Sequence, residues 1–181
     1  RDMEMVQFHP TGLLAGDHTR MTASVLEEGL RGAGGPLVNH HDQRFMFDNI
    51  PEMFQGEYAE TQEEATRWVD AVVADKIPDA RRPPELLTRD VVARAIRREV
   101  RAGRGSPHGG VFLDIASRRS AEAIKKKLPS MYHQFKELAE VDITKEPMEV
   151  GPTTHYMMGG IRVDAETQMS SVDGLFACGE C

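Results

Sequence analysis

The chain has 181 residues, 40% of them hydrophobic and 28% charged, the balance of a globular protein long enough to bury a core. A formal net charge of -7 argues against nucleic acid as a default partner, and no apolar run approaches the roughly 20 residues of a membrane-spanning helix. The only cysteines, Cys178 and Cys181, exclude a disulfide framework. Arg1 at the start and Cys178-Gly179-Glu180-Cys181 at the finish give both ends the look of cuts from a longer chain.

Residues 2–8 mix Met3, Met5, Val6 and Phe8 with polar residues and read as a short strand, ended by a turn at Pro10-Thr11-Gly12. Residues 22–31 have helical composition and stop at Gly32-Ala33-Gly34-Gly35, with Pro36 beyond. That glycine cluster lacks the following helix of a dinucleotide fingerprint and reads as a helix stop. Asn39-His40-His41-Asp42-Gln43 predicts a hairpin turn between Leu37-Val38 and Arg44-Phe45-Met46-Phe47, and no second ligand group makes His40-His41 a metal site. Thr61 and Glu64 have capping-box spacing at the head of a helix carrying Trp68, Val69, Val72 and Val73. Residues 77–84 are a Pro/Arg-rich linker. Thr88 caps the next helix, whose Val92, Ala95, Ile96, Glu99 and Val100 recur at helical spacing until Gly103. A strand is predicted at 111–115, helices at 120–128 and 130–138, turns at 163–169, and a short buried strand at Gly174-Leu175-Phe176-Ala177. The order is mixed α+β, without a repeated strand-helix alternation.

Several residues carry chemistry. His155 lies between Pro152-Thr153-Thr154 and Gly159-Gly160, and His9 lies in Phe8-His9-Pro10-Thr11-Gly12, so two imidazoles far apart in sequence occupy similar turn settings. Arg89 directly follows the Thr88 cap. A cation there opposes the helix dipole by ~0.3–1 kcal/mol unless an anion sits nearby. Two readings stay open: a guanidinium and helix amides aimed at one anionic ligand, or a solvated arginine paired with Asp90. Glu28 and Arg31 are an i,i+3 pair, either a surface ion pair or part of a proton relay. Cys178 and Cys181 form one C-x-x-C, too few ligands for zinc and without the helix that a redox motif opens.

Asp2-Met3-Glu4-Met5-Val6-Gln7-Phe8-His9-Pro10-Thr11-Gly12, Thr88-Arg89-Asp90-Val91-Val92-Ala93-Arg94-Ala95, His155-Tyr156-Met157-Met158-Gly159-Gly160 and Gly174-Leu175-Phe176-Ala177-Cys178-Gly179-Glu180 follow one another in that order. Together they resemble the flavoprotein subunit of succinate dehydrogenase or fumarate reductase, from one end of the chain to the other. The resemblance implies a capping domain at 21–150, flanked at 1–20 and 151–181 by edge pieces of an interrupted Rossmann-type FAD domain. It implies an excised middle portion, without the Gly-rich pyrophosphate loop, and hence FAD in the parent protein but not on this chain alone.

By position, the resemblance makes His9 and His155 ligands of the carboxylates of succinate or fumarate, and Arg89 the general acid/base. Glu28 and Arg31 match a proton relay to that arginine. Gly179 and Glu180 match a flavin contact. Glu27 stands where the family usually carries a small hydroxyl residue that binds substrate; a carboxylate there would repel a dicarboxylate unless it points away. Residues 49–84, with their capped helix, look like a subgroup insertion. Expected partners are an iron-sulfur subunit together with a membrane-anchor subunit, with a cytoplasmic location on the inner face of the cell membrane. Two other readings are an L-aspartate oxidase, disfavoured by the Met-Met-Gly-Gly ending and the 129–148 segment, and a capping module without chemistry of its own.

Overall fold

A computed structural model describes residues 1–15, 19 and 22–179. Four strands form an antiparallel sheet in the order β1-β4-β3-β2: β1 (Val6–Leu13), β2 (Leu37–Val38), β3 (Val111–Leu113) and β4 (Met148–Met157). The helices are α1 (Gly29–Gly32), α2 (Gln62–Val73), α3 (Arg89–Arg101), α4 (Ala121–Lys127) and α5 (Pro129–Leu138), with 3-10 turns at Phe47–Asn49, Glu52–Phe54 and Pro84–Leu86. The α+β expectation therefore holds.

The face of α3 that carries Val92, Ala95 and Ile96 is fully buried and packs across β1 and β4. Burying Val92 and Ile96 contributes on the order of 1.5–3 kcal/mol each. Val111, Leu113, Met148 and Val150 supply the sheet side of the core, and Ile124, Leu128, Met131 and Phe135 of α4 and α5 join the same cluster. Gly110 lets β4 come close, since a Cβ there would run into the Val150 carbonyl.

Capping falls where the side chains predict, with two changes of partner. Thr61 accepts the Glu64 amide at 3.2 Å, but the Glu64 carboxylate is taken by Arg81 at 2.7 and 2.8 Å. Its return bond reaches the Glu60 amide, one residue before the cap. Thr88 is the N-cap of α3, yet its hydroxyl bonds the Asp90 carboxylate instead of capping a helix amide. Ser120 caps α4 by accepting from the Ala123 amide, and Pro129 occupies the first turn of α5, where its missing N–H is no loss.

Three sequence expectations are corrected. Residues 22–31 are not a helix: Val25 bridges Gly12, the Ser24 and Thr11 carbonyls accept from Leu13 and Leu26, and Ala23 has φ 70°. Pairing with the open side of β1 outweighs helical composition, leaving only the single turn of α1. The turn at Pro10-Thr11-Gly12 lies inside β1. A register shift between His9 and Gly12 releases Pro10 and Thr11 from regular pairing, so Pro10 sacrifices no ladder bond. The 174–177 stretch forms only an isolated bridge between Met169 and Phe176, with Leu175 and Phe176 exposed. The hairpin at 39–43 is present in outline, with Val38 bridging Arg44. Among the described residues no helix is long and apolar enough to cross a membrane.

Candidate active site

His155 does not sit in a turn. It lies in β4, at a bulge: Gln7 pairs with Tyr156 and Phe8 with Thr154, leaving His155 without a partner on β1. The extra residue brings its ring against His9 on β1, with centroids 5.3 Å apart and planes at 68°. The second irregularity, at Pro10-Thr11, frees the Thr11 amide from the ladder. That amide donates to His9 Nδ1 at 3.3 Å, so the proton of the neutral ring is on Nε2.

Arg89 reaches β1 from the start of α3. Its Nη1 donates to Gln7 Oε1 at 2.7 Å and its Nη2 to Glu28 Oε2 at 3.3 Å. Asp90, the alternative partner weighed for Arg89, pairs with Arg94 instead. Glu28 is half exposed and also lies 3.8 Å from Arg31 Nη2. The Arg31 guanidinium is buried, donates from Nη1 to the Glu85 carbonyl at 2.7 Å, and has no hydrogen-bond acceptor among the described residues at Nε or Nη2. Glu28 thus stands between two arginines, one buried and one facing the opening. Gln7 was invisible to sequence reasoning, because it meets Arg89 across 82 positions without any local pattern.

Burial first, then the charges of Arg31, Arg89 and His155, hold His9 down at a pKa of about 4 against an ordinary 6.5. Burial, with Arg89 adding, also lowers Arg31, while Glu28 and Glu85 oppose that. His9 is therefore a neutral donor at pH 7. Because its folded pKa lies below its unfolded one, the unfolded chain binds more protons as pH falls. Stability is complete above pH 6.5 and declines from there down to about pH 4, by about 3 kcal/mol in all. Denaturant unfolding across that range should show the decline, and His9→Gln should flatten it; an equally steep decline in the variant counts against a buried neutral ring.

His9 and His155 thus touch each other, Arg89 and Arg31 flank the Glu28 carboxylate, and the charges of both arginines act on His9. Two basins open onto this group, with Arg31 facing neither. One, of about 890 Å³, runs beside α3 and includes Gln7, Glu28 and Arg89 in its wall. The other, of about 650 Å³, is bounded by His155, Met157, Gly160, Ile161 and Arg162. His9, 2% exposed, lies inside, in contact with His155 and under the charges of Arg31 and Arg89. Glu27 does not join this group: it is exposed and its carboxylate folds over Gly29. Gly179 has φ +82° and is exposed, while Glu180 and Cys181 lie outside the described residues. Cys178 is exposed, and no metal-binding cluster of His, Cys, Asp and Glu occurs among the described residues.

The family of the FAD binding domain matches residues 1–181. The chain belongs to that family. It is 34% identical to the succinate dehydrogenase flavoprotein subunit of Coxiella burnetii, over all of this chain and 26% of the relative. It is 32% identical to the 8-methylmenaquinol:fumarate reductase flavoprotein subunit of Wolinella succinogenes over 184 residues, 99% of this chain and 24% of that protein. Among solved structures, a quinol-fumarate reductase with menaquinol molecules superposes with a TM-score of 0.74 at 34% identity, covering 100% of this chain and 27% of its own. Sdh1 of Mycobacterium smegmatis, in complex with UQ1, gives 0.63 at 51% identity over 99% of this chain and 24% of its own. The chain spans about a quarter of the length of the curated relatives it matches. The resemblance to succinate dehydrogenase and fumarate reductase flavoproteins therefore holds along the whole chain.

The residues present fit one side of a flavin. Exposed Met157, Met158 and Ile161 offer apolar surface to a flat ring, beside the cationic Arg162 and the closely packed Gly159, where a Cβ would strike the backbone of residues 1–3.

Proposed function

We propose that this chain forms the substrate-closing part of an FAD-dependent oxidoreductase that interconverts succinate and fumarate. In this reading residues 21–150 are the capping domain, and residues 1–20 and 151–181 belong to the flavin domain. The observation that carries it is the His9–His155 ring contact lying under the charges of Arg89 and Arg31, with Glu28 the only carboxylate within ion-pair distance of either arginine among the described residues, a charge balance suited to a small dianion. The relatives' names point to the same substrate pair.

FAD, when bound along Met157, Met158 and Gly160, supplies the two-electron chemistry at one methylene carbon of succinate. His9 donates Nε2–H to a substrate carboxylate and His155 binds the other end. Arg89, neutral at the moment it acts, takes the proton from the second methylene carbon as the double bond forms and becomes the guanidinium; the half-exposed Glu28 carboxylate, between Arg89 and Arg31, then carries a proton from it towards solvent, and fumarate reduction runs the same path backwards. Gln7 and Glu28 hold two of the guanidinium nitrogens, so the arginine meets substrate in one orientation. Glu27, turned over Gly29, leaves the carboxylate pocket free of a second negative charge. An iron-sulfur subunit together with a membrane-anchor subunit completes the proposed assembly, on the inner face of the cell membrane.

The test is the visible absorption of FAD in a flavoprotein that carries this chain. Anaerobic succinate should bleach the flavin band, and L-aspartate should not. Bleaching by aspartate alone would move the assignment to an L-aspartate oxidase.

A further inference from the structure

Behind the candidate relay lies an ion pair that takes no part in it. Arg44 Nε and Nη2 donate to the two carboxylate oxygens of Glu85 at 2.9 and 2.8 Å, a two-pronged contact. Both side chains are buried, with 8% and 2% exposure. Arg44 is fixed from two further sides, by the bridge between Val38 and its own backbone and by the Phe47 ring 4.8 Å from its guanidinium.

Glu85 does two things at once. Both oxygens of its carboxylate are bonded by Arg44, so it acts on Arg31 through its charge and not through a side-chain hydrogen bond. Its carbonyl accepts the one hydrogen bond that the Arg31 guanidinium makes among the described residues. The 3-10 turn that carries it, Pro84–Leu86, runs through Leu87 and Thr88 directly into Arg89. One buried residue therefore sets the place of the innermost relay arginine and anchors the backbone that leads to the outermost one.

We propose that the Arg44–Glu85 pair is a positioning clamp for Arg31 and Arg89, aligning both guanidinium groups on Glu28. The proposal rests on the relay reading above. Lysine at position 44 keeps the charge but presents no planar fork, so it cannot hold both carboxylate oxygens in one geometry. Loss of alignment slows proton transfer more than it weakens substrate binding.

The experiment uses the full flavoprotein with bound FAD, rates being normalised to flavin. Arg44→Lys should lower kcat for succinate oxidation by about fivefold or more, with KM within about twofold, and should raise the solvent deuterium isotope effect on kcat. An unchanged kcat, or a lower kcat without a larger isotope effect, overturns the clamp. The apolar double variant Arg44→Met/Glu85→Leu, which removes both charges together, is read by the same criteria if the lysine variant loses its flavin. Loss of flavin from both variants counts against the proposal, since it assigns the pair to holding the fold rather than to alignment. Unaltered protein that does not oxidise succinate sinks the underlying function, whereas normal turnover with wild-type kinetics in Arg44→Lys sinks the clamp alone.

Discussion

Arg89→Lys should lower succinate turnover by roughly 10²–10⁴-fold in a flavoprotein carrying this chain, with KM changing by less than about threefold. The expectation follows from two contacts that lysine cannot reproduce together. The Arg89 fork spans Gln7 on β1 and Glu28 before α1, which lie on different elements, and one ammonium point charge reaches only one of them well. Lysine retains a positive charge for the dianion, so binding persists while the aligned route from Arg89 to Glu28 is lost. Steady-state kinetics decide the matter. A raised KM with unchanged kcat would restrict Arg89 to binding, and the proton would need another path.

The second large effect concerns stability. Glu85→Ala should lower the unfolding free energy by about 3–5 kcal/mol, because it leaves the Arg44 guanidinium buried without its counter-charge. The two-pronged contact gives Arg44 no alternative acceptor of equal quality, and Arg31 with its own positive charge lies close to the same turn. Guanidinium unfolding of variant and wild type measures the difference. A loss below about 1 kcal/mol would put the pair in the class of exposed ion pairs and contradict its burial.

Local chemistry made parts of the molecule legible. Thr88 announced the start of α3 and so placed Arg89 at a helix terminus, and the spacing of Val92, Ala95 and Ile96 marked the face that packs on the sheet. His9 and His155 were recognisable as candidates, but as turn residues. Their real setting, neighbouring strands with a bulge between Gln7 and Phe8, depends on pairing across about 150 positions, which no window of sequence displays. The same limit explains the missing helix at 22–31, where an edge of β1 competed successfully for Ser24 and Leu26. Glu85 and Arg44 were opaque for another reason. Charged residues are expected outside, and only the folded chain reveals a pair that neutralise each other in the interior.

The bulge in β4 has a mechanical side. His9 and His155 are carried on two strands laced to each other by ladder hydrogen bonds on both sides of the irregularity, from Val6 with Met157 to Leu13 with Val150. Spreading the two rings would mean unzipping that ladder, whereas the contacts of Arg89 with Gln7 and Glu28 are made by side chains alone. The two imidazoles therefore form the fixed jaw of a calliper, their gap set by backbone, while the place of the Arg89 guanidinium depends on its side-chain partners. A side-chain change at Gln7 or Glu28 would therefore be felt first at Arg89 and last at the histidines.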